Sequence, residues 1–116
     1  QNVCFQGVQD PIDNLKKASI YMMTSAFEGL PMILLDAQQF GVVPIAFDNY
    51  ESIHDIIIDN HNGIIISGNQ NSQYASKLMW LMAHTKEREE MALNGLTTCQ
   101  RFSMEKIVQQ WLSIMQ

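Results

Sequence analysis

The chain has 116 residues, a length that corresponds to a single domain. Hydrophobic residues make up 47% of it and charged residues 16%, which is typical of a folded domain and excludes a disordered segment. The net charge of -5 has the wrong sign for a domain that binds nucleic acid by neutralising its phosphates, so we expect no nucleic-acid partner. No apolar stretch approaches the length of about 18 residues that a membrane-spanning helix requires.

Short apolar runs alternate with helical patterns along the chain. In chain order, the pattern predicts a strand over 3–5, a helix over 11–18, a strand over 20–24, a helix over 31–40 and a strand over 42–47. It then predicts a helical turn over 52–57, a turn over 59–63, a strand over 64–66 and helices over 71–83, 85–96 and from 103 to the end. These elements leave room for no long internal linker.

Residues with special backbone or capping preferences mark the ends of several elements. Gly41 should end the helix before it in a left-handed conformation. Asn71 or Ser72, Thr85 and Ser103 are the expected N-caps of the last three helices. The caps therefore predict three separate helices in the second half of the chain.

Regular alternation of strands and helices predicts an α/β fold, a Rossmann-like parallel sheet with helices on both faces. The continuous apolar run over 20–24 indicates a strand buried on both faces. Ligands of such sheets bind at the carboxyl ends of the strands. The loops after Thr24 and after Phe47 are therefore the candidate ligand-binding segments.

The loop after Thr24 combines features that suit a phosphorylated sugar ligand. Glu28 and Gly29 precede a helix that should begin near Pro31, and Asp36 follows Glu28 by eight positions. The start of a helix presents free amides and the positive end of a dipole, which favour a diphosphate. Because proline has no N–H, the candidate donors are the amides of Gly29, Leu30, Met32 and Ile33.

This stretch resembles the E-x7-E motif of the family 4 glycosyltransferases, which have the two-domain GT-B fold. Further similarities follow in the family's order: Val3 to Gly7, Gly41 to Phe47, Asp55-Ile56-Ile57, Asn60 to Gly63, and Arg101-Phe102-Ser103 with Trp111. The chain is thus similar to the C-terminal, nucleotide-sugar-binding half of such an enzyme. The chain opens on Gln1 rather than Met, and we expect residues 1–116 to be a single domain cut from a larger two-domain enzyme.

The resemblance implies a role for each matching residue. The first acid of the motif contacts hydroxyls of the transferred sugar, the amides after it hold the phosphate, and the second acid binds the ribose. On this chain Glu28 is the candidate catalytic residue, and the candidate donor-binding residues are Ser25, Glu28, Gly29, Leu30, Met32 and Asp36. We expect no metal ligands.

Position 36 departs from the family pattern, since Asp stands there in place of Glu. The missing methylene shortens the reach by about 1.5 Å, which leaves a direct ribose contact and a water-mediated one as alternatives. Asp48, at the end of a predicted strand, is either a ligand contact or a turn residue. The spacing of His54 and His61 matches no metal motif.

The implied reaction is transfer of a sugar from a nucleotide-diphosphate sugar, with a UDP-sugar favoured, to an acceptor hydroxyl, with retention of configuration and without a metal. The acceptor would be a glycan or glycolipid of surface polysaccharide synthesis, held by the absent N-terminal domain, through which any membrane contact would also be made. The implied location is the cytoplasm or the inner face of the membrane. The basic residues that stabilise the leaving diphosphate should lie upstream of residue 1, so the fragment alone should be inactive.

Two other functions remain open: a noncatalytic domain that binds a nucleotide-sugar or a partner, and a GT-B nucleotide-sugar epimerase, although epimerases do not as a rule share the acidic motif. A receiver-like signalling domain is disfavoured because Gln6-Gly7 stands where an acidic pair would close the first strand.

The final helix carries more apolar residues than one face can bury, namely Ile107, Trp111, Leu112, Ile114 and Met115. We therefore expect part of it to be exposed or to pair weakly with a second copy.

Overall fold

A computed structural model describes residues 2–116 and shows three parallel strands with helices on both faces. The elements in chain order are α1 (Pro11–Leu15), β1 (Ile20–Met23), α2 (Met32–Gln39), β2 (Val43–Phe47), α3 (Ile53–Ile56), β3 (Ile64–Ile66), α4 (Asn71–Ala83), α5 (Thr85–Thr98) and α6 (Met104–Ile114). Short 3-10 turns at Ser67–Asn69 and Cys99–Phe102 precede α4 and α6. The predicted α/β architecture is confirmed.

The sheet has the order β1-β2-β3, so β2 is its central strand. Ile20 pairs with Val43 and Ile45 with Ile64, both in parallel. All five residues of β2 are buried, as expected for a strand covered on both faces. The central strand therefore organises the core.

Alternate residues of the sheet face two different helical layers. Val43, Ile45 and Phe47 share a buried cluster with residues of α4 and α5, including Leu81 and Met91. Ala46 and Met23 instead pack with α2 and α3 in a second cluster, whose other buried members are Leu34, Leu35, Ile53, Ile56 and Ile57. The period-2 alternation of a strand thus separates the two layers.

Tyr74 fastens α4 to the sheet by its hydroxyl. This buried phenol donates to the carbonyl of Ile45 at 2.8 Å and lies 3.4 Å from the carbonyl of Met23. Its ring also lies against Phe47, with centroids 4.7 Å apart. Burial raises the pKa of Tyr74 to about 12, although the hydrogen bond to Met23 acts in the opposite direction.

Gly63 is required where β3 approaches the central strand. A Cβ at this position would lie 2.8 Å from the carbonyl oxygen of Pro44 and 2.9 Å from its ring. Pro44 itself is the second residue of β2, near the strand start as its missing N–H requires. The glycine before β3 thus allows the turn to close onto the sheet.

The strand predicted over Val3–Phe5 is wrong, because residues 2–10 form no strand and Phe5 is 95% exposed. A strand needs a hydrogen-bonded neighbour, and none of the three strands pairs with this segment. Burial of β1 on both faces is also wrong. Its Met22 is 50% exposed, since β1 lies at the edge of the sheet.

Two of the predicted N-caps are wrong as well. Asn71 and Thr85 are the first residues of α4 and α5, where the backbone is already helical, and no side-chain cap bond is made there. Ser72, the alternative to Asn71, lies one position further inside α4. His84 precedes α5 and remains tied to the end of α4, where its ring stacks on Trp80. Gly41 adopts φ 72° and Ser103 caps α6 through the amide of Lys106, both as predicted.

The last helix, α6, packs little against the rest of the chain. None of its residues is buried, and its exposed apolar side chains include Met104, Val108, Trp111 and Leu112. Trp111 is 62% exposed. The expectation that part of this helix is exposed is therefore confirmed.

The raised pKa of Tyr74 should make the chain less stable at alkaline pH. Below pH 10, the ordinary tyrosine pKa, both folded and unfolded states keep the phenolic proton and the stabilisation is complete. Between about pH 10 and 12 only the unfolded state loses it, so Tyr74 should lower the free energy of unfolding by up to about 1.4 kcal/mol per pH unit. Urea unfolding from pH 8 to 11 measures this slope.

The matched control is Tyr74→Phe, which keeps the ring and removes the titrating group. We expect this variant to be destabilised by about 1–3 kcal/mol at pH 7, because the buried Ile45 carbonyl loses its donor. Its alkaline slope should be smaller than that of the unmodified chain. Equal slopes in the two proteins would show that Tyr74 does not carry the pH dependence.

Candidate functional site

Two loops meet at the carboxyl edge of the sheet. Residues 24–31, here called the motif loop, follow β1, and residues 48–52, the brace loop, follow β2. Met23 pairs with Ala46, so the chain leaves both strands at nearly the same level. The topology therefore places the predicted donor-binding loop beside the start of the loop after Phe47.

Glu28 lies half-buried in the motif loop, and its negative charge affects the pKa values of two nearby tyrosines. Burial raises the pKa of Tyr50, and the negative charge of Glu28 raises it further. Tyr21 shows the same two effects in the same order. The charge of Glu28 therefore acts on two phenol groups of the same region, Tyr21 and Tyr50.

Four amides at the start of α2 have no protein acceptor. Within residues 2–116, no hydrogen bond uses the N–H of Gly29, Leu30, Met32 or Ile33. The first amide of this region that donates is that of Leu34, to the carbonyl of Pro31 at 3.0 Å. The helix start therefore presents the donors that an anion such as a diphosphate requires.

Two carbonyls of the motif loop are held by the brace loop. Asn49 Nδ2 donates to the carbonyl of Ser25 at 3.1 Å, and the Ser52 hydroxyl donates to the carbonyl of Gly29. Neither Asn49 nor Ser52 was singled out from the sequence. In the sequence, the only indication of the brace loop is its position after a predicted strand, and that position points to Asp48 alone.

Asp36 lies half-buried on α2 and lines a cleft of about 340 Å³. The cleft separates α2 from the end of α5 and the start of α6, and its other lining residues are Met32, Leu35, Gln39, Leu96, Cys99, Gln100, Phe102 and Ser103. Glu28 is not among them. Of the predicted site residues, Met32 and Asp36 thus share this cleft, whereas Ser25, Glu28 and Gly29 belong to the edge of the sheet.

The other polar candidates have protein partners. Asp48 Oδ1 lies 2.8 Å from His54 Nε2, which gives the carboxylate a partner within the chain. Arg101 Nη2 donates to the carbonyl of Asp55 at 2.6 Å and so fastens the turn before α6 to α3. Among residues 2–116, no three His, Cys, Asp or Glu side chains group closely enough to hold a metal ion.

Comparison with known proteins identifies the family. The family model described as glycosyl transferases group 1 matches residues 1–97. A GalNAc-alpha-(1->4)-GalNAc-alpha-(1->3)-diNAcBac-PP-undecaprenol alpha-1,4-N-acetyl-D-galactosaminyltransferase of Campylobacter jejuni is 29% identical over 107 residues, which are 89% of this chain and 30% of that protein. The amylovoran biosynthesis glycosyltransferase AmsD of Erwinia amylovora is 28% identical over 100 residues, which cover 86% of this chain and 28% of AmsD.

The fold also has counterparts among solved structures. A variant of S. aureus TarM, in complex with fondaparinux, alpha-GlcNAc-glycerol and UDP, superposes with a TM-score of 0.82 at 25% identity. The match covers 89% of this chain and 21% of that one.

The fold and the motif loop define the C-terminal domain of a GT-B glycosyltransferase. The chain belongs to the glycosyl transferases of group 1. It spans 30% or less of the length of the two curated relatives described above. Within the described residues, no helix is both long and apolar enough to cross a membrane.

Proposed function

We propose that the chain is the donor-binding part of a retaining glycosyltransferase that transfers a sugar from a UDP-sugar to an acceptor hydroxyl. One observation carries the proposal: four unpaired amides at the start of α2 adjoin the half-buried Glu28 at the carboxyl edge of the sheet. Membership of the group 1 family supports the same reaction. UDP is the favoured nucleotide because it is bound to the TarM structure.

Each candidate residue has a defined task in this proposal. The amides of Gly29, Leu30 and Met32 hold the diphosphate and stabilise the charge that develops on it as the sugar leaves. The Glu28 carboxylate accepts hydrogen bonds from hydroxyls of the transferred sugar. Ser25 completes the loop around the donor. The reaction proposed here uses amide dipoles and basic side chains, and no metal ion, to hold the diphosphate.

Asp36 is proposed to bind the ribose from the wall of the 340 Å³ cleft. Its carboxylate would accept hydrogen bonds from ribose hydroxyls, directly or through one water molecule. Phe102 and Leu96 offer apolar surface in the same cleft. Such a mixture of apolar walls with a few polar groups is typical of sites for small organic ligands.

The acceptor is proposed to be a glycan or glycolipid bound by another part of the enzyme. The C. jejuni relative is named for an undecaprenol-linked acceptor and AmsD for amylovoran biosynthesis, which supports a role in polysaccharide or glycolipid synthesis. The reaction is proposed to take place in the cytoplasm or at the inner face of the membrane. The membrane contact would be made outside this domain.

Replacing Glu28 by Ala tests the proposed site. In the enzyme that contains this chain, we expect Glu28→Ala to lower turnover by roughly 100-fold or more, as for other preorganised polar contacts. The midpoint of thermal unfolding should change little, because the side chain lies in a loop and only half-buried. The measurement is steady-state transfer from UDP-sugars, together with a thermal melt.

Two further variants sharpen this test. Glu28→Gln keeps the hydrogen-bonding shape and removes the charge, so it separates the two contributions. Glu90→Ala removes an exposed carboxylate of α5 and should leave turnover unchanged. Full activity of Glu28→Ala would show that Glu28 is not part of the site. If the unmodified enzyme binds UDP but transfers no sugar, the noncatalytic alternative is favoured.

The isolated 116-residue chain should transfer no sugar. GT-B chemistry takes place in a cleft between two domains, and this chain covers 30% or less of its two curated relatives. The assay compares the fragment with the complete enzyme at equal molar concentration, with the same UDP-sugars and acceptors. Turnover by the fragment would contradict the expectation.

The isolated chain should also associate weakly with a second copy through α6. Burial of Trp111 and two aliphatic neighbours contributes on the order of 5 kcal/mol before the costs of association and side-chain ordering are subtracted, so the dissociation constant should be weaker than about 0.2 mM. Sedimentation velocity from about 10 µM to 1 mM should therefore show a concentration-dependent increase in mass. Trp111→Ala should remove the increase, whereas Met79→Ala, a change at an exposed apolar position of α4, should not.

A further inference from the structure

The brace loop contacts the motif loop and the strand before it at three points. Tyr50 hydroxyl lies 3.3 Å from the sulfur of Met23, the last residue of β1. Asn49 holds the carbonyl of Ser25, and Ser52 holds the carbonyl of Gly29. The two held carbonyls lie on either side of Glu28, so the central part of the motif loop is fixed at both ends.

Ser52 bonds to the motif loop instead of capping the helix that follows it. It immediately precedes α3, the position where a serine usually caps a helix, yet its side chain makes no cap bond. Its hydroxyl instead reaches across 23 positions of sequence to Gly29. The side chain is thus used to join two loops and not to start its own helix.

Holding a carbonyl also orients the next amide. A trans peptide is planar, with its C=O and N–H pointing in opposite directions. When Ser52 binds the Gly29 carbonyl, the N–H of Leu30 in the same peptide must point away from Ser52. That N–H is one of the four without a protein acceptor.

The same argument applies at the other end of the segment. Asn49 binds the Ser25 carbonyl and thereby fixes the peptide that joins Ser25 to Ala26. Both side chains are half-buried, and each donates to one backbone carbonyl of the other loop. Without these bonds, residues 26–29 would have to be ordered when the donor binds, which lowers affinity.

We propose that Ser52 and Asn49 are positioning residues for donor binding, which hold the motif loop so that the Leu30 amide meets the diphosphate. The inference rests on the proposed function, since it assumes that the free amides bind phosphate. Neither residue touches the donor. Their effect should therefore appear on ligands that carry a diphosphate and be absent for a nucleoside.

The test uses the complete enzyme and two probes, UDP and uridine. We expect Ser52→Ala and Asn49→Ala each to weaken UDP binding roughly tenfold, equivalent to one lost orienting contact, and to leave uridine binding unchanged. The KM for the UDP-sugar should rise by a similar factor, more than kcat falls. Ser52→Thr keeps the hydroxyl and should restore UDP binding.

Ser67→Ala is the matched control, because Ser67 follows β3 at the same edge of the sheet and is exposed. It should bind both probes as the unmodified enzyme does. Equal loss of UDP and uridine affinity in Ser52→Ala, with a lower melting temperature, would indicate a purely structural role and overturn the inference. Asn49→Ala tests the same point independently.

Two outcomes separate this inference from the proposed function. If Ser52→Ala and Asn49→Ala bind UDP normally while Glu28→Ala loses turnover, the positioning role is wrong and the proposed function stands. If the unmodified enzyme transfers no sugar and binds neither probe, both are wrong.

Discussion

The parallel pairing of β1 with β2 is the constraint on which the site depends. Because Met23 lies opposite Ala46, the two loops that follow these strands start side by side. A shift of one residue would turn the buried face of β1 outward, so the packing of Met23 against α2 and α3 also fixes the register. Contacts that seem local to the motif loop, such as the bond from Asn49 to Ser25, are therefore consequences of strand pairing.

A buried polar network fixes the rotation of α2 in the same way. The carbonyl of Ile56 accepts from Gln38 at 3.3 Å and from Asn62 at 3.1 Å, and Asn62 also donates to Thr98 of α5 at 2.8 Å. Gln38 is buried, and Asp36 lies two positions before it, on roughly the opposite side of a helix with 3.6 residues per turn. The burial of Gln38 therefore turns Asp36 towards the open cleft. The side-chain oxygen of Gln38, Oε1, has no hydrogen-bond partner among residues 2–116.

The parts of the fold that depend on local pattern could be predicted from the sequence, and those that depend on distant partners could not. β2, β3 and the helices follow from apolar runs, helical spacing and residues that favour helix starts, and Gly41 follows from its conformational freedom. The run at Val3–Phe5 has strand composition, but a strand exists only where another strand pairs with it. Thr85 has the chemistry of a cap, but the tie of His84 to α4 places Thr85 inside the helix. Glu28 was recognisable from a motif, whereas the role of Ser52 depends on a contact across 23 positions.

The side chains around the proposed site are mostly acidic or neutral. Residues 24–36 contain two carboxylates and no Lys or Arg, and residues 48–52 add two more carboxylates. A diphosphate donor at the proposed site would be repelled by these side chains and attracted only by the partial charges of the amides. If these carboxylates bind sugar and ribose hydroxyls as proposed, tight binding of the donor requires positive side chains from another part of the enzyme. In the proposed function, the acidic side of the site would select the donor, and positive side chains elsewhere in the enzyme would provide most of the affinity.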